Sequence, residues 1–233
     1  MEPRLIIREA SLHELEDIRR FYQDNHDPHV MFRADPDVKS AIDDGVFFLA
    51  IDVCKPDDKR IVGASAVYSV VVKDAAGNEI ILKESGGSLV SPEYRGYGLH
   101  KIFHSARALH KFVFDRGGFD HYFGAILCPN PASEKNILKA GFTPWDNPPA
   151  GLVAAREPYE VDGMKVRYFE LKPAALSDHA KNLLESAEIG SVTHAKTALI
   201  AKLDLPIQLL RHYRLLVEKL ANGDPHVILE IDC

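Results

Sequence analysis

Apolar and polar positions change period several times along the chain, and each change marks an element. Leu5-Ile6-Ile7 is a short apolar run that predicts an opening strand. Ser11-Leu-His-Glu14 has the form of a capping box, with a hydroxyl acceptor at the N-cap and a carboxylate three residues on. Leu12, Leu15, Ile18, Phe21 and Tyr22 then recur at helical spacing, and a second short helix is predicted from Pro36 to Asp44, stopped at Gly45. Val46 to Val53 and Ile61 to Val72 are rich in β-branched and aromatic residues, with the polar break Lys55-Pro-Asp-Asp-Lys59 between them. Ala75-Ala-Gly-Asn78 reads as a turn and Ile80 to Val90 as the returning strand, so residues 46–90 predict three consecutive antiparallel strands. From Leu99 to Phe114 the period becomes helical, with Ile102, Phe103, Ala106, Leu109 and Val113 on one side. Phe119 to Leu127 predicts a strand, Pro131 to Ala140 a helix, Pro144 to Pro158 a loop, and Val166 to Leu171 a last strand.

Mixed strand and helix order of this kind means an α/β or α+β layered domain. It occupies residues 1–173. After Pro173 the pattern turns mainly helical, so residues 174–233 predict a C-terminal helical extension. Its best stretch is Ile207 to Leu220, where Leu209, Leu210, Tyr213, Leu216, Val217 and Leu220 form one apolar stripe. That stripe suits packing on the same domain better than a homodimer interface. Val227 to Ile231 reads as a closing edge strand.

Composition narrows the function classes. The 233 residues carry 28 Lys+Arg and 34 Asp+Glu, a net charge of −6. Phosphate neutralisation needs surplus basic residues, so a nucleic-acid partner is not expected. The apolar runs are strand-length, well short of the roughly 20 residues that span a bilayer, so no membrane partner is expected either. Met1-Glu-Pro-Arg-Leu-Ile-Ile-Arg8 carries charges where a signal peptide needs an apolar stretch, and Cys54, Cys128 and Cys233 are too few and too scattered for a disulfide framework. A cytoplasmic location is the expectation.

The most informative stretch is Glu84-Ser-Gly-Gly-Ser-Leu-Val-Ser-Pro-Glu-Tyr-Arg-Gly-Tyr-Gly-Leu-His100. A strand runs into a turn holding Gly96 and Gly98, and a helix begins at once. Glycines admit a phosphate close to the backbone, where unpaired N–H groups and the positive helix end face it. No Gly-Lys-Ser/Thr follows, and a third glycine is missing, so neither a nucleoside-triphosphate loop nor a dinucleotide fingerprint is present. Gly86 and Gly87, inside the preceding strand, predict a bulge or a close backbone approach.

The segment Val90-Ser-Pro-Glu-Tyr-Arg-Gly-Tyr-Gly-Leu-His100 resembles the acyl-CoA-binding motif of the GNAT superfamily of N-acetyltransferases, and Asn130-Pro-Ala-Ser-Glu-Lys-Asn-Ile-Leu-Lys-Ala-Gly-Phe142 resembles the strand–helix motif that follows it. The resemblance covers roughly residues 4–172. It implies a GNAT-like mixed, mostly antiparallel central sheet flanked by helices, and N-acyl transfer from acetyl-CoA, or another acyl-CoA, to an amine acceptor that is a small molecule or a protein, without a metal. It places the pantetheine arm at Leu89 and Val90, the pyrophosphate on Arg95, Gly96, Tyr97, Gly98 and Leu99, and the other side of the cofactor at Asn130 and Ser133. His100 stands where Gly or Ala is usual, as it does in the histone-acetyltransferase branch, and is counted with the cofactor turn. Glu84, on the strand face of Gly86, Ser88 and Val90, resembles the general base of that branch.

Three features cut across this picture. The tyrosine that protonates the leaving thiolate in many members is replaced by Ile137, and nothing in the spacing of Tyr122 or Cys128 selects either instead. A non-catalytic acyl-CoA sensor or interaction module therefore stands as the alternative. His100 and His104 are four apart on one helix, but no third metal ligand accompanies them. Nine aspartates between Asp24 and Asp58 face three basic residues, Arg33, Lys39 and Lys55; they read as a solvated surface or as an acidic rim for a cationic acceptor.

Overall fold

The computed structural model describes residues 5–30, 33–74, 76–114, 119–157, 164–172, 175, 178, 191–194 and 197–204, with the backbone alone for 109–114 and 191–204. Its elements in chain order are β1 (Leu5–Glu9), α1 (Leu15–Asp24), α2 (Asp35–Asp43), β2 (Phe47–Asp52), β3 (Ile61–Lys73), β4 (Glu79–Val90), α3 (Leu99–Phe114), β5 (His121–Cys128), α4 (Pro131–Lys139), β6 (Thr143–Pro144), α5 (Ala150–Arg156), β7 (Lys165–Glu170), β8 (Ser191–His194) and β9 (Thr197–Asp204). The strands lie in the order β6-β7-β5-β4-β3-β2-β1-β9-β8. β1 to β4 form an antiparallel meander. β5 runs parallel to β4, the crossover being α3, and β7 pairs antiparallel with β5.

Local chemistry sets the entry to this sheet. The capping box forms as the sequence predicts: Ser11 N donates to Glu14 Oε2 at 3.0 Å, and Glu14, buried, also takes Arg8. α1 and α2 bury Ile18, Phe21, Tyr22, Val38, Ala41 and Ile42 against β2 and β3. β2 is buried along its whole length, as an interior strand covered on both faces must be. Each large apolar side chain so buried contributes about 1.5–3 kcal/mol.

The middle of the sheet carries the irregularity that matters. β3 and β4 keep register from Lys73↔Glu79 to Ala66↔Gly86, then resume at Ala64↔Leu89, so β4 holds one extra residue opposite Ser65. The bulge is at Gly87, whose φ of +59° a side chain would make costly. β4 and β5 pair only at Leu82↔His121, Lys83↔Tyr122 and Glu84↔Phe123, and beyond Glu84 no pairing joins them.

Arg107 of α3, fully buried, braces this point. Its Nη1 donates to the carbonyls of Ala66 (3.2 Å) on β3 and Gly86 (3.0 Å) on β4, and its Nε to Phe103 O at 3.2 Å. Arg107→Ala removes these charged donors and opens a cavity, and is expected to lower unfolding free energy by about 3–5 kcal/mol, read from denaturant titration.

Two stretches differ from the sequence reading. Inside the segment 144–158, read as a loop, Ala150–Arg156 is a helix: Pro149 precedes its first residue, and a Cβ on Gly151 would come within 3.0 Å of the Lys73 carbonyl. Proline and glycine there serve helix entry and close packing rather than a loop. Within the segment read as mainly helical, residues 191–194 and 197–204 are instead an antiparallel pair of strands, with β9 pairing parallel to β1. Ala, Leu and Lys give β9 helical propensity, which the unpaired edge of β1 overrides. The stripe Ile207–Leu220 and the segment Val227–Ile231 lie outside the described residues.

Candidate functional site

The Arg95–His100 motif forms the turn between β4 and α3 and the start of that helix. A short 3-10 turn, Pro92–Tyr94, turns the chain, and Gly96 and Gly98 take φ values of +86° and +81° that only glycine adopts without strain. The Gly98 carbonyl accepts from Lys101 N (3.0 Å) and Ile102 N (3.3 Å), so α3 starts directly on the turn and its first N–H groups are left for a ligand. A Cβ on Gly98 would meet nothing within 4 Å, so the backbone there faces open space. Arg95, half-exposed, donates from Nε to Val90 O at 3.1 Å, which holds the turn to the strand end.

This turn floors a cleft of about 870 Å³ lined by Leu89, Val90, Arg95, Gly96, Gly98, Leu99, His100, Asn130 and Ser133 among others. The volume lies in the upper range for ligand sites, roughly 300–1,000 Å³. Lys101 and Lys139 add positive charge to its walls. On the far side Asn130 caps α4, its Oδ1 accepting from Ser133 N at 3.1 Å. Open space beside the glycine turn, a helix start and three basic side chains fit the size and charge of a CoA diphosphate. Tyr97 belongs to the turn but does not line the cleft, as the sequence residues around it do.

Where β4 and β5 part, a second, smaller cavity of about 100 Å³ opens, lined by Glu84, Ser85, Gly86, Gly87, Ser88, Ala125, Ile126 and Ile137, with Arg33 at its side. His29, Ser88, His100, His104, Asn130 and Ser133 line both spaces, so the two are continuous. Glu84, 2 % exposed, is clamped by two guanidinium groups: Arg33 Nη2 at 2.5 Å and Arg156 Nη2 both reach its Oε2. Its Oε1 lies over Gly86, 3.7 Å from where a Cβ would stand there. Ile137 reaches Gly124, where a Cβ would come within 2.5 Å of its Cδ1, so an aliphatic side chain occupies the wall and no tyrosine lines this cavity among the described residues.

Three imidazoles stand at the junction. His104 Nδ1 lies 3.1 Å from Arg107 Nη2; a guanidinium only donates, so Nδ1 accepts and a neutral ring carries its proton on Nε2. A cation so placed disfavours a metal on His104, and no metal-binding cluster occurs among the described residues. Burial pushes the His100 imidazole down to about 4, with the Arg107 and Arg95 charges acting in the same direction. The unfolded chain protonates this ring near 6.5, so stability is expected to fall as pH drops from 6.5 towards 4, and His100→Gln to flatten that slope in denaturation curves. His29 Nδ1 faces Asp27 Oδ1 at 3.2 Å, and Asp27 Oδ2 is 3.7 Å from Arg95.

Sequence reasoning missed Arg33, Arg156, His29, Lys101 and Lys139. The arginines lie 51 and 72 residues from Glu84, a separation no local pattern reports. Lys101 and Lys139 were readable as basic residues beside the two motifs. The nine aspartates do not converge: among them only Asp27 lines the larger cleft, and none lines the smaller cavity. The Cys128 thiol is pushed up to about 11 by burial and by Glu134, to which it donates at 3.0 Å, so it is held protonated. Cys54 and Cys128 are both free. No helix among the described residues is long and apolar enough to cross a membrane.

No family model matches the chain, and no curated protein matches it. Solved structures do. The NatC complex bound to Gag peptide and CoA is similar over 73% of this chain and 98% of that one, at 13% identity and a TM-score of 0.53. NAA60 of Arabidopsis thaliana in complex with a bisubstrate analogue covers 71% and 96% at 13% identity and 0.48. The putative acetyltransferase yncA of Salmonella typhimurium, with its cofactor acetyl-CoA, covers 72% and 94% at 15% identity and 0.48. The chain has the GNAT fold, a mixed, mostly antiparallel sheet flanked by helices that parts at a bulged central strand.

Proposed function

We propose that this protein transfers an acetyl or other short acyl group from acyl-CoA to an amine. The observation that carries the reading is the continuity of two spaces: a cleft floored by the glycine turn and the start of α3 leads directly to the gap where β4 and β5 part. Solved structures of the same fold with CoA or acetyl-CoA bound add support. The turn from Arg95 to Leu99 and His100 holds the diphosphate; Leu89 and Val90 direct the pantetheine arm inward; Asn130 and Ser133 line its other side.

The bound thioester supplies an activated carbonyl. The amine nitrogen forms the new N–C bond as the C–S bond breaks, and the thiolate leaves with the bonding pair and takes a proton from water. The amine's own proton must go to a base. Glu84 takes it through Oε1, since Oε2 is engaged by Arg33 and Arg156. A specific observation favours a second base, His29: it lines both spaces, and with Nδ1–H donated to Asp27 its Nε2 lone pair serves as proton acceptor.

The test is thiol release from acetyl-CoA across a panel of amines. Release that depends on the amine supports transfer. Tight CoA binding without release on any amine favours the sensor reading, which the aliphatic Ile137 wall supports.

A further inference from the structure

We infer that Asp27 is a positioning residue that sets the His29 ring to accept a hydrogen bond from the acceptor amine and competes with the cofactor for Arg95; this rests on the acyl-transfer reading and joins its two substrate sites through one carboxylate. The chain folds back soon after α1, Val30 N donating to Asp27 O at 2.9 Å. Asp27 Oδ1 accepts from His29 N at 3.0 Å and faces His29 Nδ1 at 3.2 Å. Its other oxygen, Oδ2, lies 3.7 Å from Arg95 Nη2. Asp27 and Arg95 line the larger cleft, and His29 lines both spaces.

The carboxylate decides which face of the imidazole chemistry is offered. An ionised carboxylate only accepts, so Nδ1 carries the proton and a neutral ring keeps a lone pair on Nε2. No hydrogen bond or ion pair among the described residues engages Nε2. The charged and titratable groups that line the spaces with His29 are Arg33, Glu84, His100 and His104, besides Asp27 and Arg95. An Nε2 lone pair among them can take the N–H of an amine, whether the proton finally rests there or on Glu84.

Stability does not account for the arrangement. Arg95 and Asp27 are 52% and 29% exposed, and an ion pair so open contributes little to folding. Its effect falls on the cofactor instead. Arg95 is tied through Nε to Val90 O, so its guanidinium stays beside the glycine turn. A diphosphate on that turn and the Asp27 carboxylate draw on the same cation, and the two anions repel each other. Asp27 therefore weakens cofactor binding while it keeps His29 set, a combination that a loop brace would not produce.

Calorimetry with CoA, nitrogen NMR of labelled histidine and thiol release from acetyl-CoA test this together. Asp27→Ala is expected to bind CoA about 2- to 5-fold more tightly, the range that an exposed ion pair commands. The same variant should move the His29 proton to Nε2 and lose about 10-fold or more in kcat. Asp27→Asn removes the charge yet keeps an oxygen for Nδ1; it should tighten CoA as much and hold the proton on Nδ1 and most of kcat. His29→Gln identifies the ring's signals. A residue that only braced the loop would loosen CoA or leave it unchanged. Weaker or unchanged CoA binding in Asp27→Ala, or a His29 proton on Nε2 in the unsubstituted protein, overturns the inference and leaves acyl transfer standing. If no amine releases thiol, acyl transfer is what fails. Tighter CoA binding in both variants, with the proton on Nδ1 only while residue 27 offers an oxygen, then still upholds the inference. Absence of CoA binding in every form overturns both.

Discussion

Gly96→Glu is expected to abolish measurable CoA binding, weakening it about 100-fold or more in calorimetry, while the thermal midpoint of the free protein falls only slightly. Two effects act together. At φ +86° any side chain costs about 1–2 kcal/mol of backbone strain. The new carboxylate also stands in the cleft at the place proposed for a diphosphate, where like charges repel and Lys101, Lys139 and Arg95 would be drawn to it instead. Gly96→Ala separates the two, since it keeps the strain and omits the charge; it should weaken CoA only a few-fold. Unchanged affinity in Gly96→Glu would place the cofactor elsewhere.

Glu84→Gln is the second large effect. Loss of the proposed proton acceptor should lower kcat by about 10²–10⁴-fold with CoA affinity nearly unchanged. The substitution also leaves Arg33 and Arg156 facing an uncharged amide, and breaking a buried pair costs about 3–5 kcal/mol. Stability must therefore be measured beside the rate: an enzyme still folded and still binding CoA, yet slow, identifies Glu84 with the chemistry. His29→Gln is the matched comparison. If it reproduces the loss while Glu84→Gln retains activity, the base is the imidazole and Glu84 serves to hold the arginines.

Much of this architecture was legible in the residue pattern. The strands at 61–73 and 79–90 carry long β-branched runs, and the switch to helical period after Leu99 is sharp, so their ends fall within a residue or so of the reading. The bulge was announced by Gly86-Gly87, because two glycines in a strand have few other uses. Leu89, Val90, Gly96, Gly98, Asn130 and Ser133 converge on one cleft as their motifs imply. What escaped was of two kinds. Arg33 and Arg156 sit in segments whose composition marks solvent-facing loops, and only the folded chain carries them to Glu84. The strand pair β8–β9 has mixed propensity and becomes strand by pairing with β1, a partner nearly two hundred residues distant in sequence.

The Arg107 side chain has one more consequence. It issues from the helix whose first turn borders the larger cleft and fastens to main-chain oxygens of the paired strands β3 and β4 beside the bulge. That ties the crossover helix α3 to the β4 edge of the gap between β4 and β5. A shift of α3 along the larger cleft would therefore carry Gly86, at the wall of the smaller cavity, with it, so the shapes of the two spaces are joined through one side chain.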